Sequence, residues 1–329
     1  MIIDLHCDTI KRLEEEKEKG FNMNLRNNNL NVDLEKMKKS NYMLQCFAMF
    51  VPLKEGNPFE ICMKMIDRYY QEIEANKDLI APIFSYKDII NNNEKGLMSS
   101  LLTIEEGGVI KGNLSFLRDF YRLGVRLITL TWNYENEIAS PNIQIIENKI
   151  PNFHEPNVTK GLTEFGIEVV KEMNRLGIII DVSHLSDKGF YDVIKYSEKP
   201  IVASHSNSRK ICSVVRNMTD EMLIALAKNG GVVGINFCDF FLKDFVEKEK
   251  PFSYIDDMIK HIKHIKEIIG IDYIALGTDF DGISQNLEIK NAGEMSKLID
   301  RLKTEGFTLE EIEKISYKNA LRVFKAVLV

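Results

Sequence analysis

Eight short runs rich in apolar and β-branched residues constrain this chain most. They lie at 2–7, 44–51, 100–105, 126–132, 177–183, 200–204, 231–237 and 272–278. Each is continuous rather than alternating in polarity, as expected of strands covered on both faces. Helical patterns separate most of them. Residues 162–176 set Leu162, Phe165, Val169, Met173 and Leu176 on one stripe, and Gly177 follows as a stop signal. TDEM at 219–222 offers a Thr219 cap with acids in the first turn. Ile255, Met258, Ile259, Ile262, Ile265 and Ile269 mark another helix before Gly270, and Thr308 begins a capping box in TLEEIEKI. An extra helix is expected around 58–75. This alternation predicts one domain over residues 1–329, an α/β chain folded as a single (β/α)8 TIM-type barrel. The alternative, an open doubly wound sheet, is weakened because neither GxGxxG nor GxxxxGK[ST] occurs.

A hydrophobic content of 44% and a charged content of 28% are those of a soluble globular protein. The net charge is −6, and the lysines of KRLEEEKEKG are interleaved with glutamates, so no basic patch invites nucleic acid. Five cysteines, Cys7, Cys46, Cys62, Cys212 and Cys238, form no CxxC pair, which predicts reduced structural thiols in a cytosolic compartment. The chain opens on IIDLHCD without a basic or apolar leader, and no apolar run reaches membrane-span length. The expectation is a cytoplasmic protein with no membrane partner.

Ligand-type side chains gather at the ends of the apolar runs. His6 and Asp8 in IIDLHCD are two apart, so on a strand both point to one side while Cys7 points away. Glu106 follows LLTIE and precedes Gly107 and Gly108; Glu105 is its competitor, facing the other side. Glu106 is taken as the ligand because it lies nearer the strand end. His184 and His205 end consecutive strands, and Asp279 ends the eighth, next to the first in a closed barrel. A lone strand histidine is more often a hydrogen-bonded core residue than a ligand. Imidazoles and carboxylates collected at one barrel mouth are instead the donor set of a hydrolytic metal site. The long polar stretch 133–160 after the fourth run is a candidate substrate loop. His261 and His264 fall among lysines and read as solvated, and His154 as an ordinary loop histidine.

HCD, EEGG, LTLTWN, IDVSH, ASHSNSR, VVRNMTD, GGVVGINF and LGTDFDG occur in this order. The series resembles the membrane (renal) dipeptidase family of zinc metallopeptidases, in a soluble form similar to its bacterial members, from residue 2 to about residue 325. The resemblance implies an amidohydrolase-type barrel with two Zn2+. His6, Asp8 and Glu106 would hold one, and Glu106 with a water or hydroxide would bridge to the second on His184 and His205. It also implies that Asp279 moves the proton of the bridging water and that Arg216 receives a terminal carboxylate. The expected reaction is attack of the bridging hydroxide on the peptide bond of a small dipeptide. The renal member carries a histidine where this chain has Trp132, as bacterial members do, so Trp132 is the expected substrate contact there. The resemblance also suggests a homodimer. Similar ligand sets serve deaminases, lactonases and phosphoesterases, and a non-catalytic metal-binding barrel is the remoter alternative.

Overall fold

The computed structural model describes residues 1–145, 151–244 and 250–328. Part of the 133–160 stretch, residues 146–150, thus lies outside the described residues. Among the described residues the apolar runs become strands β1 (Ile2–Asp4), β2 (Tyr42–Phe50), β3 (Ile80–Pro82), β4 (Met98–Glu105), β5 (Leu127–Thr129), β6 (Ile179–Asp181), β7 (Val202–Ala203), β8 (Val232–Ile235) and β9 (Ile274–Leu276). All pair in parallel. β1 pairs with both β2 and β9, β2 pairs with β4, and β4 to β9 follow in order, which closes an eight-stranded barrel. β3 stands outside the ring, paired only with the start of β4 through Ile80↔Met98 and Pro82↔Ser100. Its short run carried too little periodic signal to be expected from sequence.

The helices follow the periodicities. Pro58–Ala75 supplies the extra helix after β2. Glu164–Leu176 starts at Thr163, whose hydroxyl accepts from Gly166 N, and ends at Gly177, whose φ of 79° suits glycine. Asp220–Asn229 is capped by Thr219, and Leu309–Glu313 carries the full Thr308–Glu311 capping box.

Two apolar layers flank the strands. One joins strand residues such as Leu102, Ile104, Ile128 and Ile180 to the surrounding helices. The other comprises Leu44, Cys46, Leu101, Leu127, Ile179, Val202, Val232 and Ala275, and continues into Val323, Phe324 and Val327 of the last helix, Asn319–Val327. On β4 the residues therefore alternate, with Leu101 in one layer and Leu102 and Ile104 in the other. The register Phe50↔Glu105, Glu105↔Thr129 and Thr129↔Asp181 aligns the polar C-terminal ends of neighbouring strands. That end is the mouth at which barrel enzymes place their chemistry.

His261 corrects the sequence reading. On the helix Ile255–Ile269 it is completely buried, not solvated. Its Nδ1 accepts from Ser208 N at 3.1 Å and its Nε2 donates to Leu242 O at 3.0 Å, which fixes a neutral imidazole. His264 is partly buried and 2.8 Å from Asp220 Oδ1. Burial lowers the His261 pKa to about 4. An unfolded histidine titrates near about 6.5, so on acidification the unfolded chain takes up the proton first. The stabilisation is complete above that value and is lost as pH falls from about 6.5 towards 4. His261→Gln keeps a donor and an acceptor without the titration. Measured on metal-free protein by urea unfolding, the loss of stability between pH 8 and pH 5 should be roughly 2 kcal/mol smaller in His261→Gln than in the parent.

Candidate metal centre

Glu105 ends β4 on the same alternation as Leu101 and Thr103, and its carboxylate enters the barrel mouth. Its two oxygens divide the surrounding ligands. Oε1 lies 3.1 Å from His184 Nε2 and 3.4 Å from His205 Nε2. Oε2 lies 3.3 Å from His6 Nε2, which is itself 3.5 Å from Asp8 Oδ2. The two imidazoles His184 and His205 face each other at 3.2 Å between their Nε2 atoms. Asp279 completes the ring, its Oδ1 3.9 Å from His6 Nε2. Three overlapping groups result: His6, Asp8 and Glu105; Glu105, His184 and His205; and His6, His205 and Asp279.

These spacings fit metal ions. Tetrahedral ligands at bond lengths of about 2.0–2.1 Å stand about 3.3 Å apart. His6 Nε2 and Asp8 Oδ1 are moreover buried without a hydrogen-bond partner, a costly state that a cation would relieve. The remaining ring nitrogens are held from behind. Ser204 Oγ donates to Asp181 Oδ2 at 2.6 Å and so accepts from His205 Nδ1, also at 2.6 Å. Asn133 Oδ1 accepts from His184 Nδ1 at 3.0 Å. Both contacts place the proton on Nδ1 and leave the inward Nε2 lone pair free for a metal.

The electrostatics describe one tightly linked group. Burial works against the charged form of His6, but the Glu105 and Asp8 carboxylates overcome it and hold its pKa well above the ordinary value. Burial likewise opposes ionised Glu105, yet the charge of His6 and the close approach of the His184 and His205 imidazoles keep it well below the ordinary carboxylate range. Burial pushes the Asp279 carboxyl up to about 7.

The structure brings together His6, Asp8, His184, His205 and Asp279, whereas Glu106 lies elsewhere. Glu106 takes a left-handed φ of 91° as the strand ends, which turns its side chain away from the centre. Its carboxylate accepts from Gly108 N at 2.9 Å, Trp132 N at 2.9 Å and Asn136 Nδ2 at 2.5 Å. Burial raises its pKa to about 7. Glu106 therefore braces the loops, and Glu105 occupies the middle of the ligand set. The period of two held the correct signal: Thr103 and Glu105 share one face while apolar Leu102 and Ile104 take the other.

Arg216 is buried beside the centre. Its two terminal nitrogens donate to Ser206 Oγ at 2.8 Å and His205 O at 2.9 Å, while Nε has no partner. A guanidinium offers five N–H donors, so most of this fork is unspent. Trp132 is half-buried at the rim, its ring 4.8 Å from Phe50 and 6.2 Å from His184. His154 is exposed, with Nδ1 3.1 Å from Ser213 Oγ.

Sequence reasoning missed the supporting residues. β1 and β6 both end Ile-Ile-Asp, and each buried acid staples neighbouring strands. Asp4 accepts from Thr278 N and Oγ1 at 2.9 and 2.7 Å. Asp181 accepts from Ser183 N, Ser204 N and Thr129 Oγ1 at 3.0, 2.9 and 2.6 Å. Asn236 Nδ2 holds Asp279 Oδ2 at 2.9 Å. An acid inside an otherwise apolar strand was the available signal. Gly282 has a different role: a Cβ there would stand 2.1 Å from Asp8 Oδ2, so only glycine lets this loop approach the centre.

The family pattern described as Membrane dipeptidase (Peptidase family M19) matches residues 1–328. The chain belongs to this family. It is 32% identical over 312 residues to an uncharacterised dipeptidase of Schizosaccharomyces pombe, covering 89% of this chain and 71% of that one. It is 30% identical over 301 residues to Dipeptidase 3 of Mus musculus, covering 90% of this chain and 58% of that protein. Among solved structures, dipeptidase AC, a metallopeptidase of the same family, is 25% identical with a TM-score of 0.87, covering 99% and 98% of the two chains. A metallopeptidase from Rhodobacter sphaeroides, solved with a phosphinate mimic of the dipeptide L-Ala-D-Ala, superposes with a TM-score of 0.89 at 23% identity over 99% of both chains. Membership makes this chain a metallo-dipeptidase by family, and its barrel is the family's barrel. No helix among the described residues is long and apolar enough to cross a membrane.

The neighbouring glutamates should separate cleanly. Glu105→Gln should lose bound metal when its content is measured by elemental analysis after dialysis. Glu106→Ala should keep metal but lose about 1–3 kcal/mol of stability, because Gly108 N and Trp132 N would be left buried without acceptors.

Proposed function

We propose that this chain hydrolyses the peptide bond of small dipeptides with a free C-terminal carboxylate, using two zinc ions. His6, Asp8 and Glu105 would hold one ion, and Glu105, His184 and His205 the other. The observation that carries this reading is a shared carboxylate between two imidazole sets, set beside a buried guanidinium with donors to spare. Mixed imidazole and carboxylate donors suit zinc better than the harder cations, which prefer oxygen alone.

When bound, the ions supply Lewis acidity and a water acidic enough to serve as nucleophile near neutral pH. The chain's own residues do the rest. Asp279 is held by Asn236 through one oxygen and turns the other towards the ligand ring, where it can take a proton from water and return it to the leaving amine. Arg216, fixed by His205 O and Ser206 Oγ, presents its free donors to the substrate's carboxylate. This anchor orients a short substrate and excludes chains extended beyond the second residue. Trp132, packed on Phe50 and 6.2 Å from the His184 ring, offers an apolar face to the substrate beside the centre.

The test is hydrolysis of a panel of L,L-, L,D- and D-containing dipeptides by the purified protein, before and after chelation, with metal quantified on the same sample. Activity should vanish with the metal and return with zinc; two bound metals without cleavage would remove the assigned substrate. Asp279→Asn should retain metal and lose about 10²–10⁴-fold in kcat. Arg216→Ala should raise KM for free-carboxylate dipeptides far more than for their C-terminal amides; equal losses on both would exclude a carboxylate clamp.

A further inference from the structure

An apolar hollow of about 360 Å³ lies beside the guanidinium, lined by Phe153, His154, Val214, Cys238, Phe240 and Phe241. We propose that it receives the side chain of the substrate's C-terminal residue and selects dipeptides ending in an apolar residue. The inference rests on the reading of Arg216 as the carboxylate clamp.

Position comes first. The Phe241 ring centroid is 5.7 Å from Arg216 Cζ, and Val214 precedes Arg216 by two residues. Cys238 N donates to Asn236 Oδ1 at 2.6 Å, and the same Asn236 side chain holds Asp279. The Phe241 wall thus faces the guanidinium, and Cys238 ties the hollow through Asn236 to the segment that holds Asp279. In a C-terminal residue the carboxylate and the side chain leave the same Cα, each through a bond of about 1.5 Å. A carboxylate seated on the free donors of Arg216 therefore brings its own side chain to the Phe241 wall.

Chemistry selects the occupant. Five of the lining residues present aromatic, aliphatic or thiol groups. The sixth, His154, is exposed at the rim and turns Nδ1 to Ser213. A charged side chain here would lose water against mostly apolar walls, whereas a leucine or phenylalanine gains contact with aromatic faces. The volume exceeds that of one such side chain, so size does not restrict the choice among apolar residues. The rim around Trp132 differs: Lys11 and Lys54 lie over the rings of Phe50 and Tyr134, at 4.2 and 5.3 Å. Apolar selection is accordingly assigned to the C-terminal side chain.

The test compares kcat/KM for Gly-X, with X as Gly, Ala, Leu, Phe, Asp and Lys in both configurations, using zinc-loaded enzyme. X as Leu or Phe should exceed X as Gly by about tenfold or more. Phe240 is about half-exposed, so a charged side chain placed there keeps access to water. Phe240→Lys should cut the Leu-to-Gly ratio about tenfold and raise the Asp-to-Gly ratio, a reversal that general damage would not produce. Phe153→Lys, also at an exposed position, provides the same reading independently. Cleavage of Gly-Gly with no gain for Leu or Phe would overturn the pocket and leave the dipeptidase reading intact. Ratios unmoved in both lysine variants would do the same. Failure of the zinc-loaded enzyme on every dipeptide, or equal cleavage of amides, would overturn the underlying reading and the pocket with it.

Discussion

A single buried carboxylate organises the mouth of this barrel. Glu105 lies within 3.4 Å of three imidazole nitrogens, shared between its two oxygens. Burying a carboxylate and several imidazoles this closely is costly unless each charge and lone pair meets a partner. Much of the surrounding architecture serves that requirement. Asp181 works through Ser204 on His205, Asn133 works directly on His184, and each keeps an inward lone pair available. The backbone yields as well: His184 and Asp279 sit at φ values of 68° and 62°. Such left-handed conformations are unfavourable for branched side chains and persist where surrounding contacts impose them.

The same barrel is chemically divided along its axis. One end is filled by aliphatic side chains and continues into the last helix through Phe324 and Val327. The other is lined by acids, histidines and hydroxyls at the strand ends. This division lets the apolar half hold the strands in register while the polar half carries acids and histidines whose close packing a cation would relieve. Asp4 and Asp181 mark the transition, each spending its buried charge on backbone and hydroxyl donors of adjacent strands. Glu106 plays a comparable part outside the ring, tying the turn after β4 to Trp132 and Asn136. A sequence pair of glutamates thus separates into one ligand-side group and one brace.

Much of this was legible along the chain. Continuous apolar runs marked the barrel strands because strands covered on both faces need no polar side. Thr163, Gly177, Thr219 and Thr308 marked helix ends because capping is a local hydrogen-bond problem. His6, Asp8, His184, His205 and Asp279 were identifiable by their place at strand ends. The less legible features depended on facing direction or on partners distant in sequence. Glu106 seemed the better ligand by proximity to the strand end, whereas alternation along β4 turns Glu105 towards the imidazoles. His261 looked solvated among lysines, yet Ser208 and Leu242 enclose it from other segments.

The amino-acid sequence by itself determined the order of the barrel strands, several helix ends and the kinds of polar side chain at the barrel mouth, since each depends on local periodicity, capping or residue chemistry. Tertiary structure alone decided which glutamate enters the centre, which ring nitrogens face inward, and which apolar side chains gather beside Arg216. Those outcomes depend on strand register, backbone turns and contacts across the ring, where residues far apart in the chain meet at hydrogen-bond distance.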